Sequence, residues 1–188
     1  MLFTDGFTPD ERDADAEGGE TSRIGWLAFD KNAQSTTVCS WEIPDAMIDE
    51  WVPRKNQIGM IEMFAPVQAL NQLRKSIRNK RVILLVDSEA VEGALVKGYS
   101  RAEDLCELTA VFWQIVAEEG CSIYIDRVST DSNPADGPSR DAVEDLVKRG
   151  AKYVDPIVPE FLKTRAAWRR TWREDPAGEG TRRTDERR

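Results

Sequence analysis

The stretch RVILLVD, Arg81–Asp87, sets five apolar residues in a row between an arginine and an aspartate. Without polar alternation it reads as a strand covered on both faces, the kind found inside a parallel sheet. SEAVEGALVKG follows as a short helix that ends at Gly98. Ser100 then predicts the cap of a longer helix, Arg101 to Glu119, with Glu103 in the capping-box position. CSIYIDRV, Cys121–Val128, predicts the next strand, and the helix after Pro138 is expected to run to about Arg149.

Upstream, MLFTD predicts a strand that begins with its first residue. RIGWLAFD (Arg23–Asp30) and STTVCSWEI (Ser35–Ile43) are β-branched and aromatic runs, and Lys31-Asn32-Ala33 between them predicts a hairpin. From Gly59 to about Asn79, Ala65, Ala69, Leu73 and Ile77 recur every fourth residue, as in a helix, with Pro66 tolerable only in a first turn or at a kink. The order predicts an α/β domain over residues 1–150: a five-stranded mixed sheet, three antiparallel strands then two parallel, with helices on both faces. Residues 8–22 read as an acidic loop insertion. Residues 151–188 read as a C-terminal helix, about Val158 to Glu174, followed by a disordered polar tail.

Composition narrows the chemistry. The 188 residues carry a formal net charge of −8, which argues against coating nucleic acid by charge alone. Much of that charge is local, because DERDADAEGGE (residues 10–20) has six acidic side chains and one basic. There is no histidine, which removes histidine-based triads and histidine-ligated zinc. Three widely spaced cysteines form no disulfide framework or metal knuckle. No membrane span or signal peptide is read, so the expectation is a soluble protein of the cytoplasm or nucleus. Any catalysis then rests on carboxylates, lysines or a bound metal.

Four carboxylates stand in unusual places. Asp5 lies in or at the end of the first strand, and Glu62 falls on the apolar stripe of its helix. Asp87 closes RVILLVD at the carboxyl end of a parallel strand, where α/β proteins bind ligands. Asp136, in SNPADGPSR, sits where a loop becomes a helix. Each has an ordinary reading: a turn for Asp5, a solvent-reaching side chain for Glu62, a cap for Asp87, a helix N-terminal group for Asp136. Together they predict carboxylates packed closely enough to need a hard divalent cation.

The succession LFTDG, hairpin, IEMFA, LLVDS and NPADGPSR resembles the ribonuclease H domain over about residues 1 to 149. In particular it resembles the ribonuclease H region that follows reverse transcriptase in retroelements of the DIRS and related types. There the strand-four aspartate precedes a small residue, an Ala-Leu helix, Lys-Gly and Ser; here the segment is DSEAVEGALVKGYSRAEDL. The resemblance implies a two-metal nuclease in which Asp5, Glu62, Asp87 and Asp136 hold two Mg²⁺ or Mn²⁺ ions. It implies hydrolysis of the RNA strand of an RNA–DNA hybrid, with a reverse transcriptase domain as a partner in a parent polyprotein from which this domain is isolated, and no membrane partner. A non-catalytic nucleic-acid-binding or connecting domain of the same fold is the alternative, as is another superfamily nuclease or strand-transfer enzyme acting on DNA.

The chain departs from that pattern in its last loop, DRVSTDSN, where Arg127 stands near the place of the usual histidine. It also lacks a basic protrusion, because only Gly98-Tyr99 separates the two central helices, and its acidic insertion follows Asp5 directly. Candidate nucleic-acid contacts are Arg74, Lys75, Arg78 and Arg127, together with Arg165, Trp168, Arg169 and Trp172 of the last helix. The bland alternatives are a solvated face for the first group and packing against the domain for the tryptophans.

Overall fold

In the segment RVILLV, Val82, Leu84 and Val86 are buried, while Arg81 and Ile83 are exposed and Leu85 is half-buried. The strand is therefore covered on one face, not on both as its composition suggests. It is central all the same. The computed structural model describes residues 1–9 and 21–171, and of the acidic insertion residues 10–20 lie outside the described residues, as do Trp172 and the polar tail.

The strands are β1 (Leu2–Phe7), β2 (Arg23–Asp30), β3 (Ser35–Glu42), β4 (Arg81–Val86), β5 (Ser122–Arg127) and β6 (Lys152–Tyr153), in the spatial order β5-β4-β1-β2-β3-β6. β1 to β3 form the expected antiparallel meander, and β4 and β5 continue it in parallel. The sixth strand was not legible, since two residues carry no alternation. It pairs in parallel with Thr37 and Val38.

Helix α1 (Ile58–Gln72) packs on the sheet and on the helix Glu103–Glu118, and is buried almost all round: Met60, Ile61, Met63, Phe64, Val67 and Leu70 are all in the core. A helix apolar on every side belongs in the middle of a domain. Pro66 is inside it. The helix stops at Gln72 instead of reaching Asn79, and a separate turn, Arg74–Ile77, follows. Asn79 takes a left-handed conformation, φ +56°, with its N–H donated to the Glu119 carbonyl.

Helix α2 (Glu89–Lys97) closes on Gly98 in the left-handed region, φ +74°, as read from the sequence. Helix α3 (Glu103–Glu118) starts two residues later than expected. Ser100 Oγ accepts the Ala102 N–H at 3.2 Å, so it makes a turn before the helix and does not cap it. The buried Asp104 instead ties the helix start to the preceding loop, accepting from Val52 N–H at 3.0 Å and from both ends of the Arg54 guanidinium.

The helix after NPA is one turn, α4 (Asp136–Ser139), and does not run to Arg149. Asp141 breaks it with φ +66°. Its carboxylate accepts from Arg23 Nη2 at 2.7 Å and from Ser40 Oγ at 3.1 Å, so contacts to β2 and β3 hold the backbone in that conformation. A second turn, Glu144–Lys148, precedes β6.

The C-terminal helix is likewise in two pieces, Glu160–Lys163 and α5 (Arg165–Thr171), broken at an extended Thr164. The Thr164 hydroxyl accepts the Ala167 N–H at 3.2 Å, which caps α5. Trp168 is fully buried, and its Nε1 donates to the Leu162 carbonyl at 3.0 Å. Among the described residues no helix is long and apolar enough to cross a membrane.

A buried tryptophan of this kind should matter for stability. Trp168→Ala is expected to cost about 3–5 kcal/mol in denaturant unfolding, because it removes a large ring from a packed site. A loss below about 1 kcal/mol would show that the ring is not part of the core.

Candidate active site

The geometry of the site begins with strand register. Leu2 lies opposite Leu84 and Phe3 opposite Leu85, so continuing the same register sets Asp5 beside Asp87. Two glycines then let helices close on this strand. A Cβ on Gly6 would lie 2.6 Å from the Glu62 backbone nitrogen, so only glycine permits α1 to pass this near. Gly25, paired with Asp5 across β1 and β2, meets Ser139 in the same way: a Cβ there would lie 2.2 Å from the Ser139 backbone nitrogen. Neighbouring residues of a strand face opposite ways, so Gly6 admits the Glu62 helix on one face and Gly25 the Asp136 turn on the other.

Asp5 is 7% exposed. Burial pushes its carboxyl up to about 7, the Asp87 and Asp136 carboxylates add to the rise, and a hydrogen bond from Ser139 opposes it. That bond, Ser139 Oγ to Asp5 Oδ2, is 2.5 Å long, and the same hydroxyl lies 2.8 Å from the Asp136 carbonyl. Glu62 is half-buried. Burial raises its carboxyl, Asp87 raises it further, and the Ser88 hydroxyl counteracts them. Asp87 therefore acts on both Asp5 and Glu62, and Asp136 acts on Asp5.

Asp136 does not cap its helix, since Ala135 holds that position and no side-chain cap bond is made there. Its Oδ1 accepts from Arg140 Nε at 3.1 Å, and the guanidinium carbon of Arg140 lies 4.4 Å from the centre of the Phe7 ring. Among the described residues no three Asp, Glu, Cys or His side chains converge closely enough to hold a metal as they stand. As donors, four carboxylates without soft ligands suit a hard cation such as Mg²⁺ or Mn²⁺, and the raised Asp5 carboxyl marks a place where positive charge is stabilising. Thiol chemistry does not fit: Cys39 is buried, and its thiol is pushed up to about 12.

The other candidates are scattered. Arg74 is bonded to Glu118 and Glu119, and Arg78 to Glu119, near the start of β4 and away from Asp87 at its end. Lys75 is exposed on the same turn. Arg127 closes β5 beside Val86 and lies 3.4 Å from Glu89, so it does share the carboxylate end of the sheet. Arg165 and Arg169 pair with Glu103 and Glu107 of α3, and the buried ring of Trp168 offers no stacking surface. Packing accounts for that helix. Trp172 lies outside the described residues. Sequence reasoning passed over Ser139 and Arg140, although their spacing of three and four from Asp136 puts all three on one side of a helical turn.

No protein-family model matches the chain, and no curated protein matches it. Solved structures do. Ribonuclease H1 from the halophilic archaeon Halobacterium salinarum NRC-1 superposes with a TM-score of 0.53 at 17% identity, over 77% of this chain and 96% of that one. The N-terminal ribonuclease H domain of rv2228c from Mycobacterium tuberculosis, solved as a fusion with maltose-binding protein, gives 0.53 at 15% identity over 80% and 96%. LC11-RNase H1 in complex with an RNA/DNA hybrid gives 0.53 at 17% over 78% and 97%. The chain has the ribonuclease H-like fold.

The buried carboxyl predicts a pH response. Unfolded, Asp5 titrates near its ordinary value; folded, it keeps its proton to about pH 7. Between those values the folded state binds more protons, so this group's contribution to stability is full below about pH 4 and is lost as pH rises through 7. In chelator, the wild-type melting temperature should decline from pH 5 to 8, and Asp5→Asn should flatten the decline. Parallel profiles for the two proteins would contradict the assignment.

Proposed function

We propose that this domain is a metal-dependent endonuclease that hydrolyses the RNA strand of RNA–DNA hybrids. The observation that carries the reading is the buried Asp5 carboxyl, in electrostatic contact with Asp87 and Asp136 at the carboxyl end of two parallel strands in a ribonuclease H-like fold. Asp5, Glu62, Asp87 and Asp136 would hold two Mg²⁺ or Mn²⁺ ions. Bound there, such cations supply Lewis-acid stabilisation of a phosphodiester under attack and lower the pKa of water.

The chain's own residues orient the donors. Ser139 fixes the Oδ2 atom of Asp5, the Ser88 hydroxyl bonds the Glu62 carboxyl, and Asp141, tethered to β2 and β3, holds the turn that carries Asp136. Fixing the carboxylates before substrate arrives limits reorganisation during reaction. Raised to about 7, the Asp5 carboxyl is partly protonated near neutral pH, so loading of the site should release protons there. The RNA strand would be told from DNA by its 2′-hydroxyls. The segments NPADGPSR and DSEAVEGALVKGYS support a retroelement origin, with a reverse transcriptase domain as partner.

A second reading, a non-catalytic nucleic-acid-binding domain of the same fold, is favoured by two observations. Arg140 holds Asp136, and among the described residues no three acidic side chains converge as they stand. One substitution separates the two readings. Asp136→Asn keeps the side-chain shape, so the melt should be unchanged while Mg²⁺-dependent cleavage of a labelled hybrid falls by at least about 100-fold, as expected when a charge that aligns the reaction is lost. Hybrid binding without cleavage by the wild type in Mg²⁺ and in Mn²⁺ would establish the second reading.

A further inference from the structure

We propose that Arg140 binds a phosphate of the substrate strand beside the carboxylate cluster, an inference that rests on the nuclease reading above. A site of four carboxylates repels a phosphodiester, so a fixed cation at its edge has a clear physical task. Arg140 is anchored on two sides. Its Nε donates to Asp136 Oδ1 at 3.1 Å, and its guanidinium carbon lies 4.4 Å from the centre of the Phe7 ring. Its two Nη groups have no acceptor among the described residues, and its side chain is 52% exposed.

Other arginines are placed differently. Arg23, Arg54, Arg74 and Arg169 use Nη atoms on acidic partners, Arg127 has one on Glu89, and Arg78, whose Nε alone is engaged, stands near the start of β4. An arginine held by Nε and by a ring face, with its Nη pair free next to the cluster, presents a preformed fork matched to phosphate oxygens. The Asp136 contact also fixes where that fork stands relative to the reacting region. Phe7 lies at the end of the strand that carries Asp5, so the anchor and the acidic cluster share one rigid element.

The test measures binding apart from cleavage. In an Asp87→Asn background, hybrid affinity is followed by fluorescence anisotropy from 50 to 300 mM NaCl in Mg²⁺. Adding Arg140→Ala should weaken binding roughly tenfold at low salt and make the slope of log K against log salt shallower by about 0.9, as for one lost phosphate contact. Arg140→Lys should keep the slope and recover only part of the affinity. With melting unchanged, equal affinity and slope for Arg140→Ala and its parent would overturn the proposal and leave Arg140 as the ion-pair partner of Asp136. Cleavage of hybrid by the wild type, measured alongside, decides the nuclease reading separately: active wild type with an indifferent Arg140→Ala defeats only this inference, and a wild type that neither binds nor cleaves defeats both.

Discussion

Asp5 has its carboxyl on an inner strand of the sheet, 7% exposed, with the Ser139 hydroxyl 2.5 Å from one oxygen. A carboxyl in that position costs free energy unless something compensates it, and the surrounding architecture is arranged about this constraint. Gly25 lets the Ser139 turn touch the strand and supply the hydrogen bond. Gly6 lets α1 approach from the other side. The parallel register of β1 and β4 then adds the Asp87 charge, which makes the compensation incomplete. A protein under no pressure to keep this carboxyl would be more stable with an apolar residue there. Its retention in a strand therefore fits a role for a cation.

The meander, the parallel pair and the register that sets Asp5 beside Asp87 were legible because they follow from local rules. β-branched runs, a Lys-Asn-Ala turn, an apolar run ending in aspartate, and acids at positions that disfavour acids all carry a signal in a few residues. The pieces that were misread depend on distant contacts. RVILLV reads as buried on both faces, yet α4 packs over β1, β2 and β3 and leaves Ile83 exposed on β4. The helix after Asp136 stops at Asp141 because Arg23 and Ser40, far away in the chain, hold that residue with φ +66°. No propensity at residues 136 to 149 reports this.

The last helix shows the same limit in a different form. Trp168 among arginines fits either a stacking surface or a packed helix, and spacing alone does not separate the two. Their partners do. Glu103 and Glu107 on α3 take Arg165 and Arg169, and the ring is drawn into the core. Once those cations are committed to acids, the positive charge left beside the candidate site is small among the described residues: Arg140 at α4 and Arg127 at the end of β5. That economy agrees with a chain of net charge −8: under the proposed function, affinity for nucleic acid would come from a few placed contacts more than from an extended basic face.

Under the proposed function, Asp5, Glu62, Asp87 and Asp136 form a divalent-cation site. The most direct measurement is anomalous diffraction from crystals of the protein grown or soaked with Mn²⁺. Anomalous density is expected between these four carboxylates, with oxygen ligands at about 2.0–2.3 Å, and is expected to be lost in Asp87→Asn. Density elsewhere on the molecule with none between these residues, at Mn²⁺ concentrations that saturate binding in solution, would contradict it.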